Sequence, residues 1–266
     1  MLFKLTHPLP EKVLVAVSGG VDSMAALHWL RRGAKNRVCG IVHVNHGPPG
    51  DDLFADRAEA LVLGVGQQLE IPVYVSKLKK CPGTGSKEAW WRDQRYSFFR
   101  SVSQDNGDLP IVLGHNFNDC LEEYLMCTLV RERFGTIPYA HAPCIRPFRL
   151  WKRESIQQYA DRQPIAYLED PSNKDLAYKR NYIRHVLVPS VLKLNPGIWN
   201  LVERALYEQD YPLHMYTVGP SDTGSDALLE SLKEQDPQAS VTTWTPVPMP
   251  PEPPLRIIRE GKDKPE

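Results

Sequence analysis

Residues 18–23, Ser-Gly-Gly-Val-Asp-Ser, bring together the groups that hold a chain of phosphates. Adjacent Gly19 and Gly20 let the backbone approach an anion closely and turn its N–H groups toward it. Ser18 and Ser23 add hydroxyl donors. Asp22 is the odd member, because a carboxylate repels bare phosphate. It makes chemical sense as a ligand of Mg²⁺ shared with phosphate oxygens. The spacing is neither the Walker pattern, which needs Gly-Lys-Ser/Thr, nor Gly-x-Gly-x-x-Gly. A tight turn with a helix cap would use the same letters, so the flanking elements have to decide.

Residues 13–17 are an apolar run rich in valine, as expected of a strand buried on both faces. Residues 24–30 read as a buried helix. This layout places the six residues where orphan N–H groups and the positive end of a helix dipole meet an anion. The alternation continues. Strands expected at 38–45, 72–76 and 110–114 are interleaved with helices expected at 53–69, 87–102 and 118–131, the last with Asn118 or Asp119 near its cap. Residues 46–50 and 77–86 read as loops. The pattern is α/β: a Rossmann-like parallel sheet covered on both faces. Ligands of such sheets sit beyond the carboxyl ends of the strands, where Ser18, His46 and His115 fall.

From Arg146 the texture changes to shorter helices and more charge. Helices are expected at 153–161, at 178–188 and from Pro189 toward 206, with a loop over 168–175. Between residues 141 and 205 eleven Lys and Arg face six Asp and Glu. The net charge of the whole chain is zero, so any RNA contact must use this local patch. Beyond residue 210 lie ten of the 24 prolines, and five basic residues face nine acidic ones. That stretch reads as a Pro-rich tail. Five cysteines without a C-x-x-C pair fit a reducing compartment and argue against a disulfide scaffold or a zinc ribbon. The N-terminus lacks a signal-peptide core, and no apolar run reaches membrane-spanning length. The expectation is a cytoplasmic protein without membrane contact; oligomeric state is not legible.

Four further stretches carry candidate chemistry. Residues 42–47 (VHVNHG) end the second strand. Residues 88–96 (EAWWRDQRY) put Glu88, Arg92 and Arg95 near one face of a helix, while Trp90 and Trp91 fit the core better than a stacking platform. Residues 113–123 (LGHNFNDCLEE) put His115, Asp119 and Glu122 at a strand end and helix start. Residues 170–184 (DPSNKDLAYKRNYIR) follow, with Arg146-Pro147 upstream. SGGVDS resembles the pyrophosphate-loop signature of the N-type ATP pyrophosphatases, the PP-loop superfamily. The whole set, over residues 13–196, resembles the tRNA(Ile)-lysidine synthetase family. Its most family-specific part is the 170–184 stretch.

The resemblance implies an adenine nucleotide alpha hydrolase-like fold with a PP-loop ATP pyrophosphatase domain over 1–140, a helical tRNA-contacting extension over 141–208 and a tail over 209–266. It implies a ligase that adenylates the 2-oxygen of the wobble cytidine of an isoleucine tRNA, releasing pyrophosphate, after which lysine displaces AMP. ATP and Mg²⁺ would be required, and L-lysine and the tRNA anticodon loop would be the partners. By position, Ser18, Gly19, Gly20, Val21, Asp22 and Ser23 would hold the nucleotide phosphates, and the backbone of His43 and Val44 the adenine. Asp22 and Asp119 would be the metal-linked carboxylates. His115 would stabilise phosphates or adenylate, Arg92 and Arg95 would contact phosphate or tRNA, and Glu122 would accept the lysine ammonium. Asp170, Asn173, Arg180, Asn181 and Arg184 would form the surface presented to the anticodon loop.

The sequence departs from the family pattern at several points. Pro48 and Pro49 replace Leu and Arg after the second strand. Asn116 replaces a second histidine and Asn118 a second aspartate. Residues 131–135 (RERFG) stand where Arg-Gly-Ser-Gly is usual, and the long C-terminal tRNA-binding region of many relatives has no counterpart. Each lost charge-assisted hydrogen bond costs about 1.5–3 kcal/mol. Two other readings follow: a tRNA thiolase of the same superfamily, opposed by the lack of paired thiols, and a non-catalytic RNA-binding relative, opposed by the intact SGGVDS, Asp119 and Glu122.

Overall fold

The computed structural model describes residues 5–33, 37–47, 53–78 and 87–210. The expectations for Pro48 and Pro49, for the 79–86 loop, for the side chain of Glu88 and for the tail beyond residue 210 lie outside the described residues.

β1 (Val13–Ala16) lies mid-sheet. Alternate side chains of a strand point to opposite faces. Val13 and Val15 accordingly join one apolar cluster with Leu27, Leu30 and Val62, while Leu14 joins another with Val42, Phe99 and Val102. Each fully buried side chain of this kind stabilises by about 1.5–3 kcal/mol, so the strand beneath the phosphate turn is firmly anchored. The first cluster is roofed by α1 (Val21–Gly33) and α2 (Leu53–Leu69), the second by α3 (Lys87–Asp105). With β2 (Val38–Asn45), β3 (Val73–Lys77), β4 (Ile111–Val112), β5 (Ala140–His141) and β6 (Cys144–Ile145), the sheet has the order β3-β2-β1-β4-β6-β5. All pairs are parallel except β5–β6. The chain reverses direction across the sheet between β1 and β4, the switch point where a ligand crevice opens.

The parallel sheet, the helices on both faces and the bounds of α2 agree with the sequence pattern. The last two strands begin at Ala140 and Cys144, at and past the point where the expected first domain ends. They are two residues each, too short to carry a period.

The cap of α4 (Phe117–Val130) is Asn116, not Asn118 or Asp119. Asn116 Oδ1 accepts the Asp119 N–H and Asp119 Oδ2 accepts the Asn116 N–H, each at 3.0 Å. This reciprocal capping box satisfies two orphan donors. Asn118 instead accepts the backbone N–H of Arg153 at 2.9 Å, fixing the start of α5 (Arg153–Asp161).

The helix expected over 178–188 is a short α6 (Lys179–Tyr182) running into a π-helical turn over Ile183–Leu187 and then α7 (Val188–Leu194). Pro189 lies in the first turn of α7, where a missing N–H is tolerated. Pro196 and Gly197 then break the helix expected to run to 206, and α8 (Ile198–Asp210) starts afresh. Its Val202 and Leu206 pack with Phe117, Leu121 and Ile183. At its end Arg149, fully buried, pairs with Asp210 and donates to the Ile137 carbonyl at 2.9 Å.

Candidate functional site

A cavity of about 550 Å³ opens over the carboxyl ends of β1, β2 and β4. Its floor is the turn from β1 into α1. Gly19 has φ +87, a region side chains rarely adopt, and a Cβ there would also lie 3.3 Å from that of Ala58. Ser23 Oγ donates to Gly20 O at 2.9 Å and accepts the Ser18 N–H at 3.1 Å, locking the turn from within. Met24 N–H reaches Gly20 O at 3.0 Å. N–H groups ahead of it in α1 have no intrahelical acceptor and face the cavity mouth. A Cβ on Gly114, after β4, would lie 3.1 Å from Ser23 Cα, so that glycine admits the helix start.

Asp22 enters the cavity from the first turn of α1, and Asn116 Nδ2 donates to its Oδ1 at 3.0 Å. Burial, and then the facing Asp119, push the Asp22 carboxyl up to about 6. A group in that position is short of positive charge.

Asp119 and Glu122 do not line the cavity. They sit beneath three guanidinium groups. Arg184 donates through Nε to Glu122 Oε1 at 2.6 Å and through Nη2 to Glu122 Oε2 at 3.0 Å and Asp119 Oδ1 at 3.3 Å. Arg180 donates to Glu122 Oε2 at 3.1 Å, and Arg153 to Asp119 Oδ1 at 3.2 Å. Glu122 is 2 % exposed. Burial pulls the Arg180 and Arg184 guanidiniums down, but the two carboxylates outweigh it and hold both above the ordinary value.

The cavity is also cationic in its lining. Arg92 and Arg95 line it from α3, stacked over the Tyr96 ring at 4.8 Å and 6.0 Å, and Arg146 Nη2 donates to the Tyr96 hydroxyl at 2.8 Å. His115 is held neutral, first by burial and then by Arg146, Arg180 and Arg95. His43 Nδ1 lies 2.7 Å from Val17 O, so Nδ1 carries the proton and Nε2 is a buried acceptor without a partner among the described residues.

A PP-loop domain profile matches residues 3–191. The chain belongs to the PP-loop domain family. A tRNA(Ile)-lysidine synthase of Lactiplantibacillus plantarum is 34% identical over 207 residues, 73% of this chain and 45% of that protein. One from Thermotoga sp. (strain RQ2) is 35% identical over 212 residues, 73% of this chain and 48% of that protein. The chain spans about half the length of the curated relatives it matches. Among solved structures, the U34-tRNA thiolase NcsA from Methanococcus maripaludis matches 77% of this chain and 72% of its own with TM-score 0.60 at 16% identity, a likeness of fold.

The PP-loop cavity thus gathers Ser18, Gly20, Val21, Asp22 and Ser23 with His43, Val44, Arg92, Arg95 and His115. Gly19 is buried under α2 and shapes the turn. Asp170, Asn173, Arg180 and Arg184 also reach the cavity wall. Asn181 does not: its amide donates to Ser172 O at 2.8 Å and Asp175 O at 2.9 Å, folding the turn over Pro171–Lys174. Sequence reading missed Arg153, Asn116 as a partner of Asp22, and Gly114. Arg153 at a helix start carried no motif, and Gly114 was visible only as a strand end. Among the described residues no helix is long and apolar enough to cross a membrane.

Proposed function

We propose that this PP-loop protein is an ATP-dependent tRNA-modifying ligase that adenylates the wobble cytidine of an isoleucine tRNA and joins lysine to it. The observation that supports this best is the pairing, in one cavity, of the PP-loop and Asp22 with Arg92 and Arg95. Anion donors from the PP-loop and from α3 suit a triphosphate whose terminal pyrophosphate must leave. The names of the relatives supply the nucleoside and the amine.

In the reading we favour, the 2-oxygen of cytidine attacks the α-phosphorus of ATP and the bond to the β-phosphate oxygen breaks, releasing pyrophosphate. The PP-loop N–H groups, Ser18 and the two arginines hold the phosphates as charge shifts onto the leaving group. Lysine, as a free amine, then attacks C2; the C–N bond forms, AMP leaves and the amine loses a proton. The unprotonated Nε2 of His43 and the backbone of Val44 offer acceptors for the adenine side of the pocket. Glu122 takes the lysine ammonium once a guanidinium turns from it toward phosphate.

The donor set fits Mg²⁺. Asp22 is a raised carboxyl whose cost a cation would remove, and Mg²⁺ is held by one or two carboxylates plus substrate phosphates. Among the described residues no three His, Cys, Asp or Glu are placed to hold a metal together. Asp22 would be its protein ligand, since Asp119 is already bound by Asn116 and three arginines. The ion would neutralise phosphate charge.

One observation favours a second reading. Glu122 and Asp119 are saturated by arginine, which suits an RNA-binding relative with weakened catalysis. A thiolase has less support: among the described residues no cysteine lines the cavity, and burial pushes the Cys120 and Cys144 thiols up. The test is pyrophosphate release from ATP with Mg²⁺ alone, with lysine, with a CAU-anticodon isoleucine tRNA, and with both. Release that needs the tRNA, with labelled lysine entering the RNA, is expected. No release in any mixture, with tRNA bound, would establish the second reading instead.

A further inference from the structure

The segment between the Asp170 turn and the π-helical turn has two faces of opposite character. Arg180 and Arg184 point inward to Glu122 and Asp119. Ile183 points inward as well and is 4 % exposed. The outward face carries Tyr178 at 59 % exposure, Tyr182 at 51 % and Val186 at 37 %, with Leu176 at 49 % beside them. Tyr178 and Tyr182 are four residues apart on a helical path, so their Cα atoms lie one turn, about 6 Å, apart along one stripe.

Large side chains left this open on a surface need a reason when they form a contiguous stripe. Charge says which partner they suit. With Arg180 and Arg184 paired inward, the cations left to the outer side of residues 171–185 are Lys174 and Lys179, against the single acidic residue Asp175. Asp175 accepts the Ala177 N–H at 2.9 Å, which holds it in the turn ahead of the helix. Lys174 and Lys179 flank the tyrosines. Exposed aromatic rings beside lysines are an arrangement that holds unpaired bases, with rings stacking the bases and cations following the backbone. An apolar protein partner would gain nothing from the lysines.

Position adds the rest. Arg180 and Arg184 line the cavity from the inner face of the same turns whose outer face bears the tyrosines. A nucleotide placed in the cavity would bring its strand neighbours to the segment that carries this stripe.

We propose that Tyr178 and Tyr182 form a stacking platform for unpaired RNA bases beside the nucleotide entering the cavity. Lys174 and Lys179 would hold the adjoining phosphates. This rests on the proposed action on tRNA and names a contact that reading does not require. It moves RNA recognition from the polar residues of the 170–184 motif, two of which are turned inward as arginine–carboxylate pairs, to its exposed rings.

The test is binding of a fluorescein-labelled RNA hairpin with a seven-nucleotide anticodon-type loop, alongside the fully duplexed form of the same stem, to the full chain. Tyr178→Ala and Tyr182→Ala are each expected to weaken loop binding about 10-fold, a loss of about 1.4 kcal/mol. Tyr→Phe at either position should stay within about 2-fold, because a ring without its hydroxyl still stacks. Duplex binding should be unchanged in all four variants, and ATP binding together with the unfolding midpoint reports that they fold. Lys174→Ala and Lys179→Ala should weaken loop and duplex alike and flatten the salt dependence. Loop binding unaffected by both alanine variants would overturn the platform while leaving the tRNA reading in place. The same holds if those variants abolish a self-associated form in sedimentation with loop affinity intact, which would make the stripe a contact between copies. Absence of any RNA binding by the unaltered protein would overturn the parent reading, and the platform with it.

Discussion

The two sides of the cavity spend their polar groups differently. On the PP-loop side Asp22 accepts a side-chain hydrogen bond from Asn116 and feels Arg153 and Arg184 at longer range, yet burial and Asp119 outweigh all three. On the α4 side, Asp119 and Glu122 are buried under Arg153, Arg180 and Arg184, with both Glu122 oxygens taken. On one side the protein undercompensates a buried carboxylate; on the other it pairs two of them with its own arginines. Residue type does not distinguish the cases, since each side is a carboxylate beside hydrogen-bond donors. The difference lies in where the arginines pair. Arg153, Arg180 and Arg184 make their ion pairs with Asp119 and Glu122 of α4, and among the described residues none of the three pairs with Asp22.

Removing the undercompensated charge gives the largest effect on chemistry. Asp22→Asn should lower tRNA-dependent pyrophosphate release about 10³-fold, the scale seen when a group that stabilises transition-state charge is lost. Binding of the tRNA should be unchanged. Activity close to the original would remove Asp22 from the reaction.

Removing a paired charge should act on folding first. Glu122→Ala leaves guanidiniums facing each other around a buried void, and breaking a buried ion pair costs about 3–5 kcal/mol. Since Arg180 stays 43 % exposed, the lower end of that range is expected. Chemical denaturation would read it, and an unchanged midpoint would mean the arginine cluster contributes nothing to folding.

The same contrast has a pH signature. The folded-state value of Asp22 lies near 6, against 3.8 in the unfolded chain. Below 3.8 both states hold the proton and nothing is lost. Between 3.8 and 6 the unfolded chain releases it while the folded one keeps it, so stability falls as pH rises. Above 6 the penalty is complete, about 3 kcal/mol for a shift of this size. Asp22→Asn should therefore be more stable than the unaltered protein at pH 7.5 and equal to it at pH 3.5. A stability difference that does not vary with pH would contradict the burial of this charge. Adding Mg²⁺ and ATP to the unaltered protein should shrink the gap at pH 7.5.

The smallest effect separates two jobs of one side chain. Asn116 caps α4 through its Oδ1 and supports Asp22 through its Nδ2. Asn116→Ala should cost about 1 kcal/mol of stability by loss of the cap. Asn116→Ser should keep most of that cap and still move the pH midpoint of Asp22 upward. Equal pH midpoints in the serine variant and the unaltered protein would show that Asn116 does not support the carboxylate.

The sheet, the bounds of α2 and the cavity's strand-end position were legible because buried strands and amphipathic helices write themselves as periods in the sequence. The β5–β6 hairpin was not, since two residues have no period. The cap of α4 was misread because Asn116, Asn118 and Asp119 are all good capping residues, and only the hydrogen bonds pick the first. Among candidate site residues, those on the PP-loop could be found from the turn itself. The arginine cluster could not. Charges are visible in a sequence, but Arg153, Arg180 and Arg184 meet Glu122 across 31 to 62 positions of chain, and nothing local says which carboxylate each will choose. Arg149 shows the extreme case, a fully buried cation in a stretch with no pattern to mark it.

The backbone N–H of Leu168 donates to Gly19 O at 2.9 Å. That bond stitches the approach to the Asp170 turn directly onto the peptide that bends under the phosphates. The Gly19 peptide and the start of the strap that carries residues 170–184 thus share a direct backbone contact through which binding at one could be coupled to binding at the other. Coupling of this kind is symmetric in free energy, so a nucleotide that tightens the grip on RNA must itself be held tighter, by the same factor, when RNA arrives first.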